Sequence, residues 1–176
     1  GVQTCALPIS AVQDGQRAVG LVRQHAAEWG LDPQRVGTLG FSAGGHLSAT
    51  VAATDTRTYP RVDAADDLPS RPNFQLLIYP GGIVRKNEGD AIGTEVAISS
   101  ATPPTFLVMA QDDGVRPENV LRYGAALQAA KVPYELHVYP TGGHGYGLRP
   151  SKHFVTSWPA RATDWLQSQG LLTARH

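Results

Sequence analysis

Arg35-Val36-Gly37-Thr38-Leu39-Gly40-Phe41-Ser42-Ala43-Gly44-Gly45-His46 runs from a short strand into a glycine-rich turn, and the turn carries a G-x-S-x-G pentapeptide at residues 40–44. A serine on a tight strand-to-helix turn has strained backbone angles and crowded neighbours, which only small residues tolerate. Gly40 and Gly44 are read as supplying that room. The turn lifts the Ser42 hydroxyl above the strand end and makes it a candidate nucleophile, with the Ala43 amide at the helix start able to donate to an oxyanion. The bland alternative is a turn whose serine only caps a helix. Context favours the nucleophile: residues 35–41 read as a strand, and Ala43 to Ala53 is rich in Ala, Leu and Val without Pro, as a helix would be.

Outward from this turn, helices and strands alternate, which predicts an α/β fold with a mostly parallel sheet covered by helices on both faces. Val12, Val19, Val22, Ala26 and Trp29 recur at helical spacing over residues 12–29, and Gly30 is placed to end that helix in a left-handed cap. Residues 54–73 are polar and proline-containing, a surface loop. Phe74 to Tyr79 is the next strand. Thr105-Phe106-Leu107-Val108-Met109-Ala110 is nearly all apolar, the pattern of a parallel strand buried on both faces. A helix over residues 117–130 follows, with Pro117 in its first turn. Tyr134 to Tyr139 alternates, with Leu136 and Val138 opposite Glu135 and His137, which predicts a half-exposed strand at the sheet edge. The last helix starts at a Ser157 cap, takes Pro159 in its first turn and turns Trp158, Ala162, Trp165 and Leu166 toward the sheet.

The chain has 176 residues, 41% of them apolar, and 15 basic residues balance 15 acidic ones. That length can bury a core. The balanced charge implies no nucleic-acid partner, and no run of about 18 apolar residues is present to span a bilayer. The first nine residues, Gly1-Val2-Gln3-Thr4-Cys5-Ala6-Leu7-Pro8-Ile9, read codon for codon as a translated sequencing adaptor. They are therefore set apart as an artefact, and residues 10–176 are taken as a partial catalytic domain whose natural chain continues upstream. Setting them apart removes Cys5, the sole cysteine, and with it thiol chemistry and cysteine metal sites. The compartment stays open.

A nucleophilic serine needs a base and a group to orient that base. In a parallel sheet such groups gather beyond the carboxyl ends of the strands. Asp112 and Asp113 follow the strand ending near Ala110. His144 sits in Thr141-Gly142-Gly143-His144-Gly145-Tyr146-Gly147, after the strand ending near Tyr139. Of the six histidines, His25, His46, His137, His153 and His176 have ordinary surface or packing readings, whereas His144 lies between glycines where an imidazole can approach a serine. Two adjacent carboxylates point in different directions, so residue type leaves Asp112 and Asp113 both open.

Residues 10–172 resemble the C-terminal part of an α/β-hydrolase of the acetylxylan and feruloyl esterase-like group, related to the prolyl oligopeptidase-like hydrolases. The segments Asp32-Pro33-Gln34-Arg35-Val36, Gly40 to Leu47, Pro103-Pro104-Thr105-Phe106-Leu107 and Gly142 to Gly147 carry the resemblance. The order Ser, Asp, His is that of the family. The resemblance implies an α/β-hydrolase fold lacking its N-terminal strands, with a His-Gly-Gly-Gly type loop, the other half of the oxyanion hole, lying upstream. It also implies Asp113 as the acid, because Asp113-Gly114-Val115-Arg116-Pro117 looks like a D-x-x-V-P loop with the aspartate first. Arg116, between valine and proline, departs from that pattern and keeps Asp112 as the alternative.

The implied activity is serine esterase chemistry on a small-molecule or carbohydrate ester, such as acetyl or feruloyl groups on plant polysaccharide, with no metal or organic cofactor. Ser42, His144 and Asp113 would form the triad, with the Ala43 amide in the oxyanion hole. Residues 81–100 are the nearest local contributor to substrate shape, or else a plain connection. A related serine peptidase and a non-catalytic binding module are the alternatives. The strand before Ser42 is expected to present an unpaired edge, and the isolated chain to be weakly folded and weakly active.

Overall fold

A computed structural model describes residues 9–172. Helix α1 (Ile9–Gln24), strand β1 (Gly37–Phe41), helix α2 (Ala43–Ala53) and strand β2 (Phe74–Ile78) come first. Next are the ribbon strands β3 (Val84–Arg85) and β4 (Ala91–Ile92), then strand β5 (Thr105–Ala110), helix α3 (Glu118–Ala129), strand β6 (Tyr134–Tyr139) and helix α4 (Trp158–Ser168). The adaptor reading of residues 1–9 falls, all but Ile9, outside the described residues.

Strands β1, β2, β5 and β6 form one sheet in that order, every pair parallel. The two-residue strands β3 and β4 pair antiparallel in the connection between β2 and β5. Strand β5 lies inside the sheet and is buried along its whole length, as an all-apolar strand covered on both faces must be. Successive side chains of a strand point to opposite faces. Phe106 meets Trp165 of α4, with ring centroids 5.7 Å apart, while Leu107 lies under α3 at Gly124. Gly40 abuts the first turn of α2, while its neighbour Phe41 meets Trp158 edge-on at 6.0 Å. Helices α2 and α3 therefore cover one face and α4 the other, with α1 packed outside α2 through Gly15 against Val51. The core runs between these layers, from Leu76, Leu77 and Ile78 through Phe106 to Met109 and out to Tyr123, Trp158 and Trp165. Among the described residues, no helix is long and apolar enough to cross a membrane.

Several local expectations change. Helix α1 closes at Gln24 rather than running to residue 29, and the following turns end in the predicted left-handed cap. Gly30 has φ 65°, and the Leu31 amide donates to the Ala26 carbonyl at 2.8 Å. Trp29 is consequently off the helix face and 52% exposed, stacked on His25 instead of packed in the core. Ser157 does not cap α4 with its hydroxyl, because a 3-10 turn over Phe154–Ser157 already leads the chain into the helix. Strand β6 lies at the sheet edge as expected. Its alternation does not separate a buried face from an exposed one, since residues on both faces are partly covered and Val138 is the most open. At the other end of the sheet, β1 pairs only with β2 among the described residues, and Leu39 on it is half exposed.

Candidate active site

The four side chains singled out in the sequence hang from the carboxyl ends of parallel strands. Ser42 follows β1, Asp112 and Asp113 follow β5, and His144 follows β6. The parallel register of β1, β2, β5 and β6 brings those ends to one rim.

Ser42 has φ 53° and ψ −118°, a conformation L residues rarely adopt, between the last residue of β1 and the first of α2. Strain of this kind costs about 1–3 kcal/mol and persists where the surroundings over-determine it. Here the Ser42 amide donates to Ile78 O at 3.0 Å, and Ser42 O accepts from the amides of Gly45 (3.0 Å) and Gly81 (3.2 Å). The glycine requirement holds at Gly40 as expected, but its second position is Gly45 rather than Gly44. A Cβ on Gly40 would stand 2.1 Å from Gly44 O, and one on Gly45 would stand 2.9 Å from the Pro80 side chain. A Cβ on Gly44 meets nothing within 4 Å among the described residues, so Gly44 is not needed for room. Ala43 is the first residue of α2, directly after Ser42, so its amide has no acceptor within the helix.

The Ser42 hydroxyl oxygen lies 2.9 Å from His144 Nε2. On the other side of the ring, His144 Nδ1 lies 2.8 Å from Asp113 Oδ2 and 3.0 Å from Oδ1. The Asp113 side chain is fully buried, while that of His144 is 34% exposed, so the carboxylate is shielded and the imidazole reaches solvent. Asp113 Oδ1 also accepts the Val115 amide at 2.7 Å, which fixes the carboxylate's rotation. Asp112 has a separate task. Its Oδ1 accepts the amides of Gly142 (2.9 Å) and Gly143 (2.8 Å), anchoring the start of the histidine loop. Gly143 and Gly145 flank His144 with φ 61° and 77°, values that glycine reaches without steric cost.

Tyr79 was not singled out in the sequence. It follows β2 at φ 41°, and its ring packs edge-on against His144 at 4.9 Å and Tyr146 at 4.5 Å. The only cue was its place at the end of a predicted strand. Burial pushes the phenol pKa of both tyrosines up, so they stay neutral. His46 is likewise a packing residue rather than a second base. Burial lowers its pKa, although Nε2 lies 3.1 Å from Glu95 Oε1. Among the described residues no group of three His, Cys, Asp or Glu side chains could hold a metal ion.

A serine on a strained turn, a ring nitrogen in hydrogen-bond reach of it and a buried carboxylate behind the ring make an arrangement able to move a proton off the serine. Comparison with known proteins agrees with this sheet. Residues 2–76 match the BD-FAE family model and residues 91–170 match that of the prolyl oligopeptidase family. The chain is 31% identical to an acetylxylan esterase of Xylanibacter ruminicola over 165 residues, which is 81% of this chain and 32% of that protein. The crystal structure of an acetyl ester-xyloside bifunctional hydrolase from Caldicellulosiruptor lactoaceticus superposes with a TM-score of 0.80 at 33% identity, covering 92% of this chain and 66% of that one. Thermogutta terrifontis esterase 2, phosphonylated by cyclosarin, superposes with a TM-score of 0.78 at 28% identity, covering 93% of this chain and 66% of that one. The chain thus spans about a third of the acetylxylan esterase and just under two thirds of these solved structures. By its parallel sheet, its strand-to-helix serine turn and these relatives, the chain belongs to the α/β-hydrolases.

Proposed function

We propose that the protein containing this chain is a serine esterase that cleaves carboxylic esters through an acyl-enzyme. His144 takes the Ser42 proton as the oxygen attacks the ester carbonyl, and then gives it to the departing alcohol. Asp113 holds the imidazole with its proton on Nδ1 and stabilises the charge that forms on the ring. The Ala43 amide donates to the oxyanion. Water then attacks the acyl-enzyme with His144 again as base, releasing the acid and restoring Ser42. The observation that carries the reading is the unbroken chain from buried Asp113 through His144 to Ser42, with steps of 2.8 and 2.9 Å. The proposed substrates are acetyl or feruloyl esters on plant polysaccharide, a choice supported by relatives named for acetylxylan and acetyl ester-xyloside hydrolysis.

The test is a fluorophosphonate probe followed by peptide mapping. Covalent labelling at Ser42, absent in Ser42→Ala, supports the reading, and an unlabelled Ser42 in folded protein sinks it. A peptidase is the second reading, supported by the prolyl oligopeptidase family match over residues 91–170. Faster cleavage of an amide than of the matching ester would favour it.

A further inference from the structure

The connection between β2 and β5 is tied at two points to elements that carry the site. In its second half, Glu95 Oε1 takes His46 Nε2 of α2 at 3.1 Å and also Arg85 of the connection itself at 2.6 Å. Near its middle, Asp90 meets Arg116, the residue that interrupts the acid loop. Arg116 donates from both terminal nitrogens to the two Asp90 oxygens, each at 2.8 Å. Neither residue is glycine, yet Asp90 has φ 60° and Arg116 φ 78°. Such backbone costs free energy at both positions and is retained only where other contacts hold it. A bidentate, partly buried pair is a strong contact of that kind, with side chains 32% and 20% exposed. Arg116 holds the Asp90 carboxyl below the usual carboxylate range, so the pair remains charged at neutral pH.

The turn that Arg116 belongs to is the one that orients Asp113. The Val115 amide donates to Asp113 Oδ1, and the Arg116 amide donates to Asp113 O at 3.0 Å. Asn119 completes the fastening. Its Nδ2 donates to Val115 O and Arg116 O, while its Oδ1 accepts the Val84 amide from the same connection. Without Asp90, the positive φ of Arg116 would be opposed by Asn119 alone, and a turn relaxing toward ordinary φ values would carry the Val115 amide off Asp113 Oδ1 and leave the carboxylate free to rotate away from His144 Nδ1.

We infer that Asp90 and Arg116 are a positioning pair for the proposed ester hydrolysis, holding the 113–116 turn so that Asp113 presents its carboxylate to His144. The inference rests on the serine esterase reading, and unmodified protein tests that reading separately through Ser42 labelling. Arg116→Gln and Asp90→Asn should each lower kcat and the Ser42 labelling rate by about 10- to 100-fold with KM changed less than about twofold, the pattern of misplaced catalytic groups. The double variant should be no slower than either single one, and Arg116→Lys, which keeps the charge, should recover part of the loss even if the glutamine variant folds poorly. Losses that multiply in the double variant, a rise in KM at constant kcat, or single variants within twofold of the parent would overturn the pairing. Labelled parent with unaffected variants defeats the inference alone, whereas an unlabelled parent defeats the esterase reading.

Discussion

Replacing each of the two adjacent aspartates by asparagine separates their roles by a predictable amount. Asp113 Oδ1 must go on accepting the Val115 amide, so in Asp113→Asn the amide nitrogen takes the place of Oδ2, facing His144 Nδ1. That nitrogen is a donor. The imidazole must therefore accept at Nδ1 and carry its proton on Nε2, which points at the Ser42 hydroxyl and can no longer take a proton from it. A wrong tautomer in an intact Ser-His-Asp geometry costs about 10⁴-fold in kcat, or about 5 kcal/mol of transition-state stabilisation. In Asp112→Asn, by contrast, the side-chain oxygen can still accept both glycine amides of the histidine loop. Only the charge assistance is lost, on an exposed pair of bonds, so the effect is about 1 kcal/mol or less and kcat falls less than about tenfold. Steady-state hydrolysis of a chromogenic aryl acetate, run beside the Ser42 labelling rate, measures both. An Asp112→Asn loss as large as that of Asp113→Asn, or an Asp113→Asn protein within tenfold of the parent, refutes the assignment.

Gly40→Ala puts a methyl group 2.1 Å from Gly44 O, so the serine turn must shift. We expect a loss of about 1–3 kcal/mol in urea unfolding together with slower Ser42 labelling, and an unaltered labelling rate would count against the tight packing of that turn. Leu107→Ala, at a side chain with no exposed surface beneath α3, should cost about 2–5 kcal/mol, and a loss below about 1 kcal/mol would mean that the layer is not close-packed there. Burial pulls the Asp66 carboxyl upward, but the Tyr59 hydroxyl, the Val62 amide and Arg17 outweigh it and hold its pKa well below the usual value. The unfolded chain therefore binds that proton first, and stability present above about pH 4 is lost as pH falls toward the folded value. Asp66→Asn should flatten this acid limb in unfolding measured across pH, and an unchanged slope would show that the carboxylate contributes nothing to it.

The local elements were legible because their signals are local. The serine turn needs small residues at fixed offsets, α2 occupies the predicted Ala43–Ala53, and the apolar run at residues 105–110 fits only a strand covered on both faces. Loop position after each strand was also enough to nominate Ser42, His144 and a pair of aspartates, since in a parallel sheet the carboxyl ends share a rim. What sequence order left open depends on contacts between residues far apart in the chain. Asp112 and Asp113 differ only in which partner some thirty positions later each meets, and the tertiary structure sends one to glycine amides and the other to the imidazole. Gly44 looked necessary by pattern, but it is Gly45 that Pro80 crowds. Arg116 looked like a slip in a motif, until folding brought Asp90 against it. Side-chain type and spacing determined which chemistry the chain carries, because backbone propensity and turn sterics act over a few residues. Only the packed sheet decided which carboxylate faces the histidine and what holds it there, because direction in space is set by partners the chain meets on closing.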